Sequence, residues 1–347
     1  MRYYLECRKC YAEYDSSYDS QLCGKCGSML EVEYKGKLTL PESPKAFWDF
    51  SSAIPHCRYR IKNHALTHIS HLAGLALKDE TSWPTRSFKD RGSLVEISKA
   101  KEYGYKEIVC ASTGNMALSL SYFAKLSGIR AKVYLSKYTN KVKIKYIRDT
   151  HNADVVLVEG DYTKAVKLAE EYSKRKRAFL AGDYCYRKEG QSTIGFEIAL
   201  QSKGIRNVFV PVGNATLFSG IFKAYERMRS TGAIRGYPRL IAVQADGADA
   251  LVMAFAGSSK IRYAKPHTAA DGIAVGYPTY GEDALDAIRK TRGYAMSVSE
   301  NEMTDAKSSI FEKARITAEL AGASAVAAWE KISKPAGSIA IVTGANV

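Results

Sequence analysis

The sequence lacks any hydrophobic run long enough to cross a membrane. Its apolar runs are short and broken by charges or glycines, and none approaches the roughly 20 residues of a spanning helix. The first ten residues contain no apolar segment of a secretory signal. Internal repeats and low-complexity segments are absent as well. These absences predict a globular, cytoplasmic protein without a membrane partner.

The chain has 347 residues, of which 46% are hydrophobic and 25% are charged. A chain of this length is too long for a single small hydrophobic core, so we predict two domains with a small appendage. A net charge of +15 is compatible with nucleic acid, an anionic cofactor or anionic substrates as ligands. Because the basic residues are spread along the chain, we interpret the charge as a solvated basic surface and expect no nucleic-acid partner.

Four cysteines form two CxxC pairs near the N-terminus, Cys7 with Cys10 and, after twelve intervening residues, Cys23 with Cys26. Two such knuckles supply four thiolates to one tetrahedral ion, an arrangement that zinc prefers. The alternative is two disulfides, which a cytoplasmic location disfavours. We therefore predict a structural zinc ribbon over residues 1–35. Four sulfur ligands leave no open position for catalysis at this zinc.

From about residue 73 onward, short apolar runs alternate with longer amphipathic stretches. The predicted strands are Leu75–Lys78, Glu107–Ala111, Ala131–Leu135, Asp154–Val158, Asn207–Val212, Arg239–Gln244 and Ser338–Thr343. The predicted helices are Ser87–Tyr103, Met116–Ser127, Val142–Thr150, Tyr162–Lys176, Gln191–Lys203, Ala215–Arg229 and Thr304–Ala321. This alternation is typical of βαβ units, so we predict an α/β fold with mostly parallel sheets flanked by helices.

The segment PTRSFKDRG, residues 84–92, places Lys89 after a predicted strand and at the start of a predicted helix. The positive potential at a helix N-terminus lowers the pKa of an amine, which favours the neutral form that a Schiff base requires. Taken alone, a lysine between an aromatic residue and an aspartate is usually a surface residue. The neighbouring segments therefore decide its interpretation.

Three further segments end predicted strands: ASTGN at 111–115, PVGNATL at 211–217 and VTG at 342–344. The N–H groups and hydroxyl of the second segment suit a phosphate, although an ordinary strand–helix turn is the alternative. It is not a Walker A loop, because no Gly-Lys-Ser/Thr follows. The segment 111–115, taken alone, fits a cluster of small polar residues that caps the start of a helix.

In this order, the four segments resemble those of the threonine synthase-like enzymes of the tryptophan-synthase-β, or fold type II, pyridoxal-phosphate family. The resemblance covers about residues 75–344, and a zinc ribbon also precedes some threonine synthases. It implies a large cofactor-binding domain over residues 36–95 and 186–347, with a small domain over 96–185. It also implies pyridoxal 5′-phosphate as the cofactor, a small and phosphorylated amino acid as the substrate, and a homodimer.

The resemblance assigns cofactor contacts to individual residues. Lys89 is implied to be the catalytic lysine that forms the Schiff base. Asn115 is implied to contact the 3′-oxygen of the cofactor, and Thr343 to face its pyridine nitrogen. The cofactor phosphate is implied to lie on the loop of Gly213, Asn214, Ala215, Thr216 and Leu217.

The substrate contacts implied by the resemblance are less complete. Ser112 and Thr113 are implied to bind the substrate carboxylate, and Arg187 the substrate phosphate, although Arg187 alone also fits a surface role. Met116 stands where the family usually has a phosphate-binding threonine, and it offers no donor. The family's polar residues before the arginine are replaced by the segment that begins with Ala181.

Other departures leave the reaction open. The segment around Asp271 resembles threonine and serine dehydratases more than threonine synthases. His64, His68 and His71 replace the family's loop before the lysine and would share one helical face, where packing is a commoner role than metal binding. We therefore expect a threonine synthase acting on O-phosphohomoserine, with a dehydratase or another β-elimination or β-replacement enzyme as the alternative. A zinc-ribbon binding protein on an inactive scaffold is the alternative from another class.

Overall fold

The computed structural model describes residues 2–112, 114–137, 139, 141–150, 153–159, 162–257 and 260–345. The chain divides into two compact units. The ribbon unit comprises Met1–Ala65 and Lys89–Gln191, and the large-sheet unit comprises Leu66–Phe88 and Ser192–Val347. Within the ranges given above, every helix falls short of the length and apolarity that a membrane crossing requires.

Both units are α/β structures. The strands of the described residues are β1 (Arg2–Cys7), β2 (Glu13–Asp15), β3 (Leu30–Lys35), β4 (Ile69–Leu72), β5 (Leu75–Asp79), β6 (Glu107–Ala111), β7 (Arg130–Ser136), β8 (Asp154–Val158), β9 (Phe179–Ala181), β10 (Asn207–Pro211), β11 (Arg239–Ala245), β12 (Tyr294–Val298) and β13 (Ser338–Val342). The α-helices are α1 (Lys89–Glu102), α2 (Asn115–Ser127), α3 (Lys141–Lys145), α4 (Tyr162–Lys176), α5 (Cys185–Gln201), α6 (Thr216–Ser230), α7 (Ala250–Ala256), α8 (Gly281–Lys290), α9 (Glu300–Ala314) and α10 (Leu320–Lys331). A π-helical turn, Tyr146–Thr150, extends α3.

The ribbon, residues 2–35, is a three-stranded antiparallel sheet in the order β2-β1-β3. Leu5 stands opposite Val32 and Cys7 opposite Leu30 in the register of β1 and β3. All four side chains are buried. This small apolar layer supports the two loops that carry the cysteine pairs.

The second sheet of the ribbon unit has four parallel strands in the order β8-β7-β6-β9. Helix α2 follows β6 and ends at Gly128, whose φ of 68° is a left-handed conformation that glycine adopts without strain. Helix α1 is buried along nearly its whole length, from Asp90 to Ala100. It is therefore the central helix of this unit.

The ribbon packs against α1 and α5. The side-chain amide of Gln21 donates to the carbonyl of Leu180 at 2.8 Å and accepts from the N–H of Tyr186 at 3.0 Å, in the first turn of α5. The Nζ of Lys99, on α1, lies 5.0 Å from the ring centre of Tyr3 and 5.9 Å from that of Tyr186. Lys99 is almost fully buried, so this cation–π cluster joins the ribbon to both helices.

The large-sheet unit is built on a six-stranded sheet in the order β12-β11-β10-β13-β5-β4. Its strands are parallel except β4, which pairs with β5 in the antiparallel direction. The apolar core on one face combines strand residues such as Phe209 and Ile241 with alanines of α10 and Trp329. Strand β13 is buried at all five positions, as expected for a central parallel strand.

The predicted fold class, α/β with mostly parallel sheets, is confirmed. The observed grouping of the chain differs from the expected domain boundaries, because residues 36–65 and the start of α1 belong to the ribbon unit. The N–H of Arg58 donates to Glu102 of α1 at 2.9 Å, and Lys101 of α1 lies over the ring of Tyr59. These contacts explain the grouping.

Two local predictions are wrong. The helix predicted over Thr304–Ala321 ends at Ala314, because Arg315 has a left-handed φ of 59°, and a separate helix begins at Leu320. His64, His68 and His71 do not share a helical face, because residues 61–68 have no regular structure and Ile69–Leu72 is a strand. The spacing of these histidines therefore carries no information about a metal site.

Candidate functional site

Three of the predicted segments leave the same edge of the large sheet. Strands β10, β13 and β5 are neighbours and run parallel, so their carboxyl ends lie side by side. The segment 211–217 follows β10, Thr343 follows β13, and the segment before Lys89 follows β5. In open α/β sheets this edge is where ligands bind.

The backbone that leads into Lys89 is fixed to the end of β13. The N–H of Phe88 donates to the carbonyl of Thr343 at 3.0 Å, and Ser87 forms an antiparallel bridge with Gly344. Arg86 accepts a hydrogen bond from the N–H of Ala345 at 2.9 Å. Lys89 itself is the first residue of α1 and is half-buried. Its backbone position is thus set by hydrogen bonds made on the residues just before it.

The loop after β10 forms a tight turn into α6. A Cβ at Gly213 would lie 3.1 Å from the carbonyl oxygen of Gly272 and 3.2 Å from the Cα of Ile273, so a side chain there would press on the backbone. Ala215 has a left-handed φ of 62°, and Thr216 starts the helix. The first N–H groups of a helix lack intrahelical acceptors and carry partial positive charge. The turn therefore presents a cradle for a phosphate.

The segment after β6 has a comparable form in the ribbon unit. The hydroxyl of Ser112 accepts hydrogen bonds from the N–H groups of Gly114 at 3.1 Å and Ala117 at 3.2 Å. Asn115 starts α2, and Met116 beside it is buried. Thr113, predicted to bind the substrate carboxylate, lies outside the described residues. The start of α2 suits a carboxylate through its helix dipole.

Arg187 is fully buried in the ribbon unit. Its Nε donates to the carbonyl of Gly182 at 3.0 Å, and its Nη1 donates to the carbonyl of Lys89 at 3.2 Å. Its Nη2 donates to the hydroxyl of Ser93 at 3.3 Å and forms a short ion pair with Glu96. The guanidinium therefore lies against the main chain of Lys89 but is held by protein acceptors.

Two glycines allow this placement of Arg187. A Cβ at Gly92, inside the lysine segment, would lie 2.6 Å from the Cγ of Arg187. A Cβ at Gly190 would lie 2.2 Å from the carbonyl oxygen of Arg91. Both distances are shorter than real Cβ contacts, so α1 and α5 approach each other only because these positions are glycine.

Glu96 is a residue that the sequence analysis missed. Its carboxylate is fully buried, accepts from the N–H of Gly182 at 2.9 Å and pairs with Arg187. Burial raises its pKa from 4.5 to about 7, although the Arg187 charge acts in the opposite direction. The available signal was a carboxylate between Val95 and Ile97 in an otherwise apolar stretch of α1.

The ribbon brings the four N-terminal cysteines together. All four Sγ atoms lie within 4.8 Å of one another, with Cys7 and Cys26 at 3.5 Å and Cys10 and Cys23 at 3.6 Å. A tetrahedral zinc with sulfur ligands at about 2.3 Å requires Sγ separations of about 3.8 Å. The cluster therefore has the size and donor set of a four-thiolate metal site.

The described residues fit the expected pyridoxal phosphate. The tight turn at Gly213 and the start of α6 provide a phosphate cradle, and a Cβ at Gly213 would press on Gly272 and Ile273 and so disturb the turn. Lys89 supplies a primary amine, and Thr343, directly after β13, supplies a hydroxyl rather than a carboxylate. These groups are of the chemical types that suit the phosphate, the aldehyde carbon and the ring nitrogen of pyridoxal phosphate.

Known proteins show the same sequence pattern. The family model described as "Pyridoxal-phosphate dependent enzyme" matches residues 60–344. The chain is 34% identical to a threonine synthase of Methanocaldococcus jannaschii, over 94% of this chain and 86% of that protein. It is 31% identical to a threonine synthase of Methanosarcina acetivorans, over 95% and 87% of the two chains.

Solved structures share the architecture at lower sequence identity. The processed form of threonine deaminase isoform 2 from Solanum lycopersicum gives a TM-score of 0.71 at 23% identity, covering 91% of this chain and 95% of that one. Maize serine racemase gives a TM-score of 0.70 at 22% identity, covering 81% and 88%. At such identities the likeness concerns the fold alone.

Proposed function

We propose that this chain, which belongs to the pyridoxal-phosphate dependent enzyme family, is a threonine synthase that converts O-phosphohomoserine and water into threonine and inorganic phosphate. The observation that carries the proposal is the placement of Arg187, whose Nη1 lies 3.2 Å from the carbonyl of Lys89. The guanidinium thus lies beside the main chain of the proposed catalytic lysine, and a positive charge at that position suits a substrate that bears a phosphate. The relatives named threonine synthase support the same reaction.

In the proposed enzyme the cofactor phosphate would be held by the loop of Gly213, Asn214, Ala215, Thr216 and Leu217. Asn115 would hold its 3′-oxygen, and Thr343 would serve its pyridine nitrogen. A hydroxyl rather than a carboxylate at position 343 would disfavour protonation of that nitrogen. The bound cofactor supplies an electron sink for negative charge at the substrate Cα.

The proton transfers are assigned to Lys89. Its Nζ would remove the proton from the substrate Cα and then one from Cβ, and the phosphate leaves Cγ with the electron pair of the C–O bond. Protons are returned to Cγ and to Cα, and water adds its hydroxyl at Cβ while its remaining proton goes to the released phosphate. The start of a helix favours the neutral amine that this base requires. Ser112 and Thr113 hold the substrate carboxylate, and Arg187 holds the phosphate that leaves.

The test supplies the purified holoenzyme with O-phosphohomoserine, threonine, serine and O-phosphoserine in parallel. Phosphate release and 2-oxo acid release are measured separately. We expect phosphate and threonine from O-phosphohomoserine, with little 2-oxo acid from the other substrates. Absence of phosphate release from O-phosphohomoserine would refute the proposed reaction.

A dehydratase is the second candidate, and two observations favour it. The guanidinium of Arg187 already has an acidic partner in Glu96, and the buried side chain of Met116 offers no hydrogen-bond donor to a phosphate. A site with few free donors suits a β-hydroxy amino acid. Release of 2-oxo acid from threonine or serine in the same assay would establish this reaction.

We further propose that Cys7, Cys10, Cys23 and Cys26 bind a structural zinc ion and that the enzyme is a cytoplasmic homodimer. The Sγ cluster supports the zinc, and a reducing compartment keeps such thiolates available. Metal analysis of the purified protein tests the zinc at one ion per chain. Sedimentation equilibrium tests the dimer.

A further inference from the structure

The ion pair of Arg187 and Glu96 lies in the interior of the ribbon unit. Both side chains are fully buried, at 0% exposure. A buried charge needs a partner, since removing it from water without one is strongly unfavourable. Glu96 is therefore the group that makes the buried position of Arg187 tolerable.

Glu96 also uses the atoms of Arg187 that a phosphate would use. Guanidinium groups bind phosphates through a fork of N–H groups directed at two oxygens. In this chain Nη2 donates to Glu96 and to the hydroxyl of Ser93, and Nη1 donates to the carbonyl of Lys89. A substrate phosphate that reaches this guanidinium must displace or share these acceptors.

We propose that Glu96 is a specificity-determining residue, an internal ligand of Arg187 that competes with the substrate phosphate and sets the preference between phosphorylated and unphosphorylated amino acids. This inference rests on the proposed function, in which Arg187 binds the substrate phosphate. Its physical basis is that a phosphate dianion near an ionised Glu96 is repelled, whereas a neutral residue at position 96 leaves the guanidinium charge to the phosphate.

Several groups face Glu96 and decide when it is ionised. Arg187 on α5 favours the charged form, whereas Asp183, in the segment before α5, disfavours it. Cys110, on β6, is buried near both Glu96 and Arg187, and its thiol is neutral because burial raises its pKa to about 12. Together with burial, these groups bring the titration of Glu96 into the range near neutrality. Competition for Arg187 should therefore strengthen as pH rises through about 7.

The test compares the wild-type holoenzyme with Glu96→Gln, which keeps the shape of the side chain and one of its two acceptor oxygens and removes its charge. Inorganic sulfate is the probe, since it stays doubly charged between pH 6 and pH 8, and bound cofactor occupies the other phosphate cradle. Calorimetry gives the sulfate Kd at both pH values. Glu159→Gln is the matched control, because Glu159 pairs with Lys137 at an exposed position.

At pH 8 we expect Glu96→Gln to bind sulfate at least about tenfold more tightly than the wild type, with a smaller difference at pH 6. The KM for O-phosphohomoserine should fall in parallel. Sulfate binding should disappear when Arg187→Gln is added to Glu96→Gln, which places the ion on this guanidinium.

Equal or weaker sulfate binding by a folded Glu96→Gln at pH 8 would overturn the inference. If that variant fails to fold, a wild-type sulfate Kd that stays constant from pH 6 to pH 8 overturns it as well. Sulfate binding does not depend on turnover. A wild-type enzyme that releases no phosphate from O-phosphohomoserine therefore refutes the proposed function and is distinguishable from a failure of the role of Glu96.

Discussion

Gly92 and Arg187 are packed so closely that a Cβ on the glycine would lie 2.6 Å from the Cγ of the arginine and 3.1 Å from its Nη1. The glycine belongs to the lysine segment, and the arginine stands on another helix. Position 92 thus links the backbone around the proposed catalytic lysine to the position of the proposed phosphate ligand.

Gly92→Ala is expected to displace Arg187 and to destabilise the fold by about 1–3 kcal/mol, as overpacked cores generally are. The KM for O-phosphohomoserine should rise by about tenfold, since a loss of about 1.4 kcal/mol of binding free energy weakens binding by a factor of about ten. Urea unfolding and steady-state kinetics measure the two effects. Gly236→Ala is the control, because a Cβ there meets no atom within 4 Å. Unchanged stability of Gly92→Ala would contradict the close packing.

Lys89→Ala should abolish turnover, because no other group is assigned to the Cα proton. It should also abolish covalent retention of the cofactor after borohydride reduction. Absorbance near the cofactor band and mass analysis of the reduced protein measure the attachment. Lys101→Ala, an exposed position on the same helix, should retain both properties. Full activity of Lys89→Ala would refute the mechanism.

Gly213→Ala should weaken cofactor binding by about tenfold, since the added methyl group presses on Gly272 and Ile273 and shifts the turn. The Kd is measured by titrating the cofactor-free protein with pyridoxal phosphate and following tyrosine and tryptophan fluorescence. Gly236→Ala serves again as the control. Wild-type affinity in Gly213→Ala would mean that the phosphate lies elsewhere.

Removal of the proposed zinc should lower the melting temperature by at least about 5 °C, because metal binding contributes directly to the folding free energy of small metal sites. Chelation followed by calorimetry tests this, and Cys10→Ser should have the same effect. Added zinc should restore the melting temperature of the chelated protein but not that of the variant. A zinc-free protein with unaltered melting would argue against a structural metal.

The raised pKa of Glu96 predicts a particular pH dependence of stability. Since the folded-state pKa, about 7, exceeds the ordinary value of 4.5, the protonated group contributes stability that is fully present below about 4.5 and is lost as pH rises through about 7. The unfolding free energy of the wild type relative to Glu96→Gln should therefore fall across this range and level off above it. Urea titrations from pH 5 to pH 8 measure the difference, and a constant difference would contradict the raised pKa.

Much of the fold and the family was predictable because the relevant signals are local. Strands such as Glu107–Ala111 and Asp154–Val158 agree with the structure residue for residue, since a short apolar run between helical patterns indicates a strand of an α/β fold. The resemblance to the pyridoxal-phosphate family is confirmed by the family match over residues 60–344. The segments around Lys89 and Gly213 were recognisable because glycines and strand–helix junctions mark them.

The parts that could not be predicted depend on contacts between distant positions. Glu96 and Arg187 are 91 residues apart, and nothing near either residue indicates the other. The break at Arg315 interrupts a helical pattern without a glycine or proline, so tertiary packing overrode the helix propensity of the sequence there.

Strand β9 has three residues, which are too few to show a periodic pattern in the sequence. The specific roles of Ser112, Asn115, Thr343 and Arg187 stay predictions.

The hydrogen bond from the N–H of Tyr186 to the side chain of Gln21 spans 165 positions of the chain. The residue that caps the first turn of α5 is therefore synthesised long before the helix itself. In the cell we expect the ribbon to fold as it emerges from the ribosome and to act as a template on which α5 later forms. A chain shortened by its first 35 residues would have to start that helix unaided, and its loss should appear as slow or failed maturation of the nascent enzyme.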